Sequence, residues 1–595
     1  MSRNLHTRGD CNPSGNPRFE EILRSRRSFL GAGLGAAAIA ALPGCTAPGT
    51  RPVIGFTPLA PSGEDLLRVP PGYEARVLFR WGDPVGSPAG MPEFRMDASN
   101  SAADQALQAG MHHDGMHYFP IDGSTHGLLA INHEYLDQGL LFPDGMRTWS
   151  AEKVLKAQQA TGVSVIEVEL QGGQWRIVRP SRNARRITGS TPCRVSGPAA
   201  GHPLMRTAAN PDGRLVLGTN NGCAHGWTPW GTFLTCEENW HTLFANSSAA
   251  TVDQQRYGLA RRGSGFRWNE YDERFDAARH PNEFHRFGWV VEIDPFAPQS
   301  VPVKRTALGR FAHEGAACAV GVDRRLAFYM GDDAADQYLY KFVAARPYDP
   351  SSREKNRDLL DDGVLYAARF NADGTGQWLP LEGRDLGEVR VRTRQEADAV
   401  GATKMDRPEW VVPHPVTREV FAALTGGRGN RFGHIVRWKE DGGDVAAPRF
   451  KWEVFVRAGP PGKGEVKGDA FANPDGLWFD SMGTLWVQTD MSSSSLGRGD
   501  FAPLANNQML AVDPSTGVFR RFLTGPRGCE ITAFHTTPDN RSAFVNIQHP
   551  GETPGDFSSP DQPRRFSNWP DYAPDGRPRS STVVIRRKDG GIIGT

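Results

Sequence analysis

One pattern recurs along this chain and limits what it can fold into. An acidic residue opens an apolar run, a turn of Asp, Gly, Pro or Asn follows, and a second apolar run ends in polar residues. The unit appears as HHDGMHYFPIDGSTHGLLAINHE (His112 to Glu134), HEGAACAVGVDRRLAFYMGDD (His313 to Asp333) and RPEWVVPHPVTREVFAALTGG (Arg407 to Gly427). It returns as NPDGLWFDSMGTLWVQTD (Asn473 to Asp490) and GCEITAFHTTPDNRSAFVNIQHPGE (Gly528 to Glu552). A sixth copy, MRTAANPDGRLVLGTNNG (Met205 to Gly222), keeps the turn and the strand but lacks the leading acid. Apolar runs of strand length around turn residues read as β-hairpins. Hairpins repeated through a long chain stack as the blades of a β-propeller around a central channel. The expected class is all-β, a propeller with inserted loops and short helices; an array of β-sandwiches is the competing architecture. Asn246 to Glu283 and Pro347 to Arg394 read as excursions between blades. The 67 Gly and 45 Pro suit many short strands joined by tight turns.

Equivalent positions in propeller blades face one channel mouth. The leading acids are Asp114, Glu314, Glu409, Asp475 and Glu530. Carboxylates converging from separate blades repel one another unless cations or protons neutralise them. Their oxygens are hard ligands suited to calcium, whereas a thiolate suits a transition metal such as iron. GTFLTCEENW (Gly231 to Trp240) sets Cys236 directly against Glu237 and Glu238 at a strand end. Cys236 is therefore either a buried apolar filler beside a solvated turn or a metal ligand.

The N-terminus reads as a targeting segment. SRRSFL (Ser25 to Leu30) precedes GAGLGAAAIAAL, an apolar run ending at Leu42. That run is short of the ~20 residues a membrane span needs, and a twin arginine before it matches the twin-arginine export signal. LPGC, ending at Cys45, loosely resembles a lipoprotein cleavage box, with Pro43 a poor fit. The expected organisation is an export signal over 1–48, with membrane attachment only through a lipidated Cys45, and a single catalytic propeller over 49–595. The twin-arginine translocase is then an export partner, and the protein is periplasmic or extracellular. Of seven cysteines, Cys11 leaves with such a signal and Cys45 leaves or is lipidated. The remaining five are widely spaced, without a CxxC pair, so neither a zinc ribbon nor a dense disulfide framework is indicated. A net charge of +1 gives no reason to expect a nucleic-acid partner.

Several short motifs in one order resemble the PhoX family of secreted alkaline phosphatases, over roughly residues 60 to 590. They are the twin-arginine signal, INHEY (Ile131 to Tyr135), GPAAGHPL (Gly197 to Leu204), GTFLTCEEN, GWVVEIDP (Gly288 to Pro295), AHEGA, MDRPEW (Met405 to Trp410), ANPDGLWFD and VNIQHPGE (Val545 to Glu552). The resemblance implies a propeller with a buried cluster of ferric iron and calcium, joined by a bridging oxo group, that hydrolyses phosphate monoesters. It implies Cys236 as the iron-binding cysteine with Glu237 beside it, and Glu134, Glu292, Glu314 and Glu409 as carboxylate ligands. Arg407 resembles the arginine that meets the substrate phosphate, with Glu409 beside it at the catalytic centre. Asp475 and Glu530 match the repeat positions. Asp114 lies in HHDG, which departs from the asparagine-rich pattern expected there. Asp332, Asp333 and Asp490 end strands, as ligands or as solvated turns.

The chemistry of the residues agrees with that implication. A phosphate monoester dianion needs positive charge on its nonbridging oxygens, which metals and a bidentate arginine supply. No GxSxG elbow or P-loop glycine pattern is present, which speaks against serine catalysis and nucleotide-driven chemistry. His113 and His117 have HxxxH spacing, but the Asp-Gly between them signals a turn rather than a zinc-protease helix. The other histidines read as turn or surface residues. A monomeric enzyme acting on small phosphomonoesters is expected; a calcium-dependent lactonase-like propeller and a non-catalytic calcium-stabilised propeller are the rival readings.

Overall fold

The computed structural model describes residues 11–31, 54–259, 263–427, 429–555 and 557–595. Six innermost strands touch in a closed ring: His113–Asp122, Gly222–Trp227, His313–Val320, Pro408–Pro413, Pro474–Phe479 and Glu530–Thr536. Each begins a blade with an antiparallel hairpin, so the molecule is a six-bladed propeller. The last blade is closed by the chain's beginning, because Tyr73–Arg80 pairs antiparallel with Ser581–Arg587. That pairing joins the two ends of the propeller and leaves no open blade between them.

The third and fourth blades are not separate sheets. Their outer strands Thr375–Pro380 and Arg449–Arg457 pair, so both belong to one nine-stranded sheet. The second blade takes its outer strands from both sides of its inner hairpin, with Val303–Arg305 running parallel to Pro192–Ser196. Apolar residues fill the spaces between blades. One cluster joins Ile131 and Ile166 of the first blade to Ala423, Leu477, Leu510 and Phe544 of the fourth, fifth and sixth. Each large apolar side chain so buried contributes about 1.5–3 kcal/mol.

Two sequence expectations change here. The stretch from Met205 to Gly222 supplies only the short outer strand Leu215–Leu217; the inner hairpin of the second blade is Gly222–Trp227 with Phe233–Glu237. GCAHGW has no apolar alternation, because its neighbours on both faces are other blades rather than solvent, so the periodicity does not show it. Pro347 to Arg394 is also more than an excursion, since it contains Gly363–Phe370 and Thr375–Pro380 of the third blade. Asn246 to Glu283 is irregular, with the short helix Val252–Arg256 and the 3-10 turns Trp268–Glu270 and Glu273–Phe275 among its described residues.

The inner hairpins share one irregularity. Opposite each pair of residue steps on the second strand, the inner strand takes three: His113 to Met116, Gly222 to His225, Glu314 to Ala317, Pro408 to Val411, Pro474 to Leu477 and Thr532 to His535. A bulge of this kind bends a strand and redirects its side chains. Here it begins within the first two residues of the inner strand in five blades and at the third residue, Thr532, in the sixth.

Candidate metal centre

One residue at the start of each inner strand reaches a common cavity or its wall: Asp114, Cys223, Glu314, Glu409, Asp475 and Glu530. Two residues before this position the backbone is left-handed in five blades, at His112, Asn221, Arg407, Asn473 and Gly528. Four of these are not glycine, and backbone strain of that sort concentrates at functional sites. A second ring lies just past the end of each neighbouring strand: Glu134, Glu238, Asp333, Thr425, Asp490 and His549. The rings are braced together in five blades. The amides of Glu134, Glu238, Asp333, Thr425 and Asp490 donate to the carbonyls of His112, Asn221, Ala312, Arg407 and Asn473, at 2.9–3.1 Å.

The nine carboxyl groups of the two rings thus meet at a cavity of about 720 Å³, its open mouth included, whose lining Glu552 and two basic side chains, Arg407 and His549, also share. Burial, and then the Glu134 carboxylate, pushes Asp114 up to about 7. Burial and neighbouring carboxylates push Glu238, Glu314, Asp475 and Glu530 well above the ordinary range. Such a set is unfavourable as bare anions, because charge is costly to bury without a partner. Cations remove that cost. Asp114 Oδ2, Glu314 Oε2 and Asp475 Oδ1 are buried oxygens that accept no hydrogen bond, and a cation is what suits them.

Four groups of donor atoms gather within 4.8 Å: Asp114 with Glu134 and Cys223; Cys223 with Glu238 and Glu314; Glu314 with Asp333 and Glu409; Asp490 with Glu530 and His549. Shared members make the first three a continuous chain of donors. Cys223 supplies the soft atom, and its Sγ lies 3.1 Å from Glu314 Oε1. Thr532 and Asn546 hold Asp114 from behind, the hydroxyl donating to Oδ1 at 2.7 Å and the amide to the backbone carbonyl. Asn239 and Gln548 donate to the two oxygens of Glu134 at 3.1 and 3.2 Å.

Arg407 lines the same cavity. Its Nε and Nη2 donate to Asp333 at 3.0 and 2.7 Å, and Nη2 also donates to Glu409 at 2.8 Å. Burial works against its charge, but Asp333 and Glu409 overcome that and raise its pKa. The fixed fork presents permanent positive charge to whatever enters. On the far side His549 donates from Nδ1 to the Gly528 carbonyl at 3.0 Å, with Nε2 3.4 Å from Glu530.

The structure therefore brings together Asp114, Glu134, Glu314, Arg407, Glu409, Asp475 and Glu530. It does not bring Cys236, Glu237 or Glu292 to them. Cys236 is fully buried in an apolar cluster with Trp230, Leu234, Val290, Ala316 and Phe328, and burial pushes its thiol pKa up. Glu237 accepts from Lys304 Nζ at 2.7 Å and from the Gly288 and Trp289 amides. Glu292 accepts from Arg305 at 2.7 Å, from Trp230 at 2.9 Å and from Thr232 at 2.6 Å. The correction is one of register: a single step along a strand turns a side chain to the other face. Glu238 points where Glu237 was expected, and Cys223 stands in the ring where Cys236 was expected.

Cys223, Glu238 and His549 were missed, and Asp333 and Asp490 were left undecided. A signal for Cys223 exists: Asn221-Gly-Cys223 repeats the spacing of Asn473-Pro-Asp475, with a left-handed asparagine in both. Asp332 turns away from the cavity to pair with Arg394. The histidines also depart from expectation. His112, His113, His117, His225, His313, His434 and His535 are all buried. His113 bonds Thr582 at 3.1 Å, and His117 stacks on Trp227 with ring centroids 4.6 Å apart, so the HxxxH pair divides between two environments.

Residues 54–551 match the family model described as Alkaline phosphatase PhoX. Among solved structures, Pseudomonas fluorescens PhoX in complex with vanadate, a transition state analogue, is 44% identical. That match covers 91% of this chain and 99% of that chain with a TM-score of 0.86. A protein of unknown function from Dyadobacter fermentans is 10% identical, covering 87% of this chain and 100% of that one, at a TM-score of 0.39. A gluconolactonase from Xanthomonas campestris is 11% identical, covering 80% and 96%, at a TM-score of 0.27. No curated protein matches the chain. With the family model spanning most of the propeller and a PhoX structure superposing over nearly its whole length, this chain belongs to the PhoX alkaline phosphatase family.

Proposed function

We propose that this chain is a metal-dependent phosphatase that hydrolyses phosphate monoesters in the cavity of the two acid rings. The observation that carries the reading is the juxtaposition of an acid cluster, which fits cations, with the Arg407 fork, which fits a phosphoryl group. The 44% identical PhoX was solved with vanadate as a transition state analogue, which supports the same chemistry here.

Glu134, Asp114, Cys223, Glu238, Glu314, Asp333 and Glu409 would hold metal on one side of the cavity, and Asp475, Asp490, Glu530 and His549 on the other. The donor set favours two kinds of ion. Cys223 suits iron, and the all-oxygen positions suit calcium, in keeping with an iron–calcium cluster carrying a bridging oxo group. When bound, the metals supply Lewis-acid contacts to phosphoryl oxygens. The protein's own contribution is orientation. Asp333 and Glu409 engage Nε and Nη2 and lock the Arg407 guanidinium, which leaves Nη1 to donate to the equatorial oxygens of the phosphoryl group. Charge that develops there during transfer finds a donor already in place, without reorganisation. The Asp114 and Glu134 supports keep the ring carboxylates from rotating away.

The twin-arginine leader supports export to the periplasm or the cell exterior, with membrane attachment only through a lipidated Cys45. Among the described residues no helix is long and apolar enough to cross a membrane. Leu42 to Cys45, the loose lipobox, lies outside the described residues, as does most of the apolar run before it.

Elemental analysis together with a panel of phosphomonoesters, phosphodiesters and lactones tests the reading. Turnover of phosphomonoesters by protein containing iron and calcium is expected. Turnover of lactones alone, or full phosphatase activity in iron-free protein, would overturn it.

A further inference from the structure

Helix Phe19–Gly31 carries Arg26 and Arg27 and packs on the propeller. Residues 11–18 precede it as an extended strap on the propeller. Phe19 is fully buried, its ring between Phe370, His434 and Trp452 with centroids 5.3, 5.5 and 5.1 Å away. The backbone joins the same place: Phe19 N donates to the Lys404 carbonyl at 2.8 Å, and Lys404 N to the Pro17 carbonyl at 2.9 Å. Arg18 forms a two-point pair with Asp336 at 2.9 and 3.0 Å. Asn12 donates to the Asp336 carbonyl at 2.6 Å and to Tyr338 Oη at 3.1 Å.

These partners come from two blades. Asp336, Tyr338 and Phe370 belong to the third and its loops, His434 and Trp452 to the fourth. The groove exists only once the outer strands of those blades have paired. One of the twin arginines is held in it. The Arg26 guanidinium lies over the Trp452 ring, 4.9 Å from its centroid, in space that any side chain at Gly374 would fill. A stacked arginine is attracted to the ring face and partly withdrawn from solvent.

We propose that the seam between the third and fourth blades is a docking site for the chain's own leader, residues 11–27, and that the folded propeller and the export machinery compete for Arg26. The inference goes beyond the phosphatase reading and rests only on the leader being an export signal. In the folded precursor the leader is docked, and undocking precedes recognition of the arginine pair. The contacts are those of a structured interface: a buried aromatic anchor, a bidentate ion pair and backbone bonds.

The test uses the full-length precursor, with Phe19→Ser and Arg18→Glu as independent weakenings of the site. Limited trypsin cleavage after Arg24, Arg26 and Arg27 is expected to accelerate by about tenfold or more in Phe19→Ser, since loss of a buried aromatic frees the segment. A smaller acceleration is expected in Arg18→Glu, and phosphatase turnover is unchanged in both. In cells, pulse-labelled Phe19→Ser precursor is expected to reach the exported fraction several-fold faster. Cleavage at the wild-type rate in both variants would overturn the docking. Faster cleavage without faster export would overturn the competition. Wild-type export of an Arg26→Lys/Arg27→Lys precursor would overturn the competition through the leader reading itself, while the phosphatase assay stays independent of all three results.

Discussion

Cys223 Sγ lies 3.1 Å from Glu314 Oε1, across the boundary between the second and third blades. Each is the second residue of its inner strand. One blade offers a thiol where five others offer a carboxylate, so the ring is chemically uneven at one point, and that unevenness makes room for a softer metal.

Exchange of the two candidate cysteines separates the register. Cys223→Ser replaces a thiolate ligand by a hydroxyl that does not ionise at neutral pH; iron content and turnover should both fall, turnover by about 10²-fold or more. Cys236→Ser should keep iron and specific activity and lower stability by ~1–2 kcal/mol. Metal analysis and kinetics on both proteins decide. Retained iron in Cys223→Ser would remove it from the cluster.

The paired glutamates give the same contrast in stability. Glu237→Gln strips the buried Lys304 ammonium of its carboxylate and should cost about 3–5 kcal/mol in denaturant unfolding. Metal content per folded molecule should stay constant. Glu238→Gln should do the opposite, lowering metal content because its side chain faces Cys223 and Glu314.

Arg407→Lys keeps the charge and loses the fork that Asp333 and Glu409 orient. The Michaelis constant should rise and turnover should fall, about 10²-fold in their ratio, with metal content intact. Steady-state kinetics beside metal analysis checks this; parallel loss of metal would make Arg407 a structural support rather than a phosphate contact.

Metal-free protein should show an inverted acid response. Asp114, Glu238, Glu314, Asp475 and Glu530 have folded pKa values above their unfolded ones, Asp114 at about 7 against an ordinary 3.8. A group shifted upward stabilises the fold below its unfolded pKa and loses that contribution as pH rises through the folded value. Chelated protein should therefore lose thermal stability between about pH 4 and 7 and beyond, whereas metal-loaded protein should change little there. Melting curves across that range, with and without chelator, test it. A chelated protein that is most stable at neutral pH would mean that the acids do not face one another.

The sequence by itself determined the repeating hairpin, because strand length and turn chemistry are local properties and survive any arrangement of blades. It also showed an acid opening each of five hairpins, Asp114, Glu314, Glu409, Asp475 and Glu530, whereas Arg407 came from the resemblance to the PhoX family rather than from the pattern. The tertiary structure decided everything that depends on which blade faces which. The second blade's inner strand, GCAHGW, is buried on both sides and carries no alternation, so Cys223 was hidden inside it. TCEEN stood out instead, but the strand's two-residue period sends Glu237 to Lys304 and Glu238 to the cavity. Residues with the same local chemistry, Cys223 and Cys236, differ only in surroundings: one faces carboxylates from other blades, the other faces Trp230 and Phe328. The spacing that Asn221-Gly-Cys223 shares with Asn473-Pro-Asp475 hints at Cys223, but only the closed ring of blades decides, because a ligand is made by what converges on it.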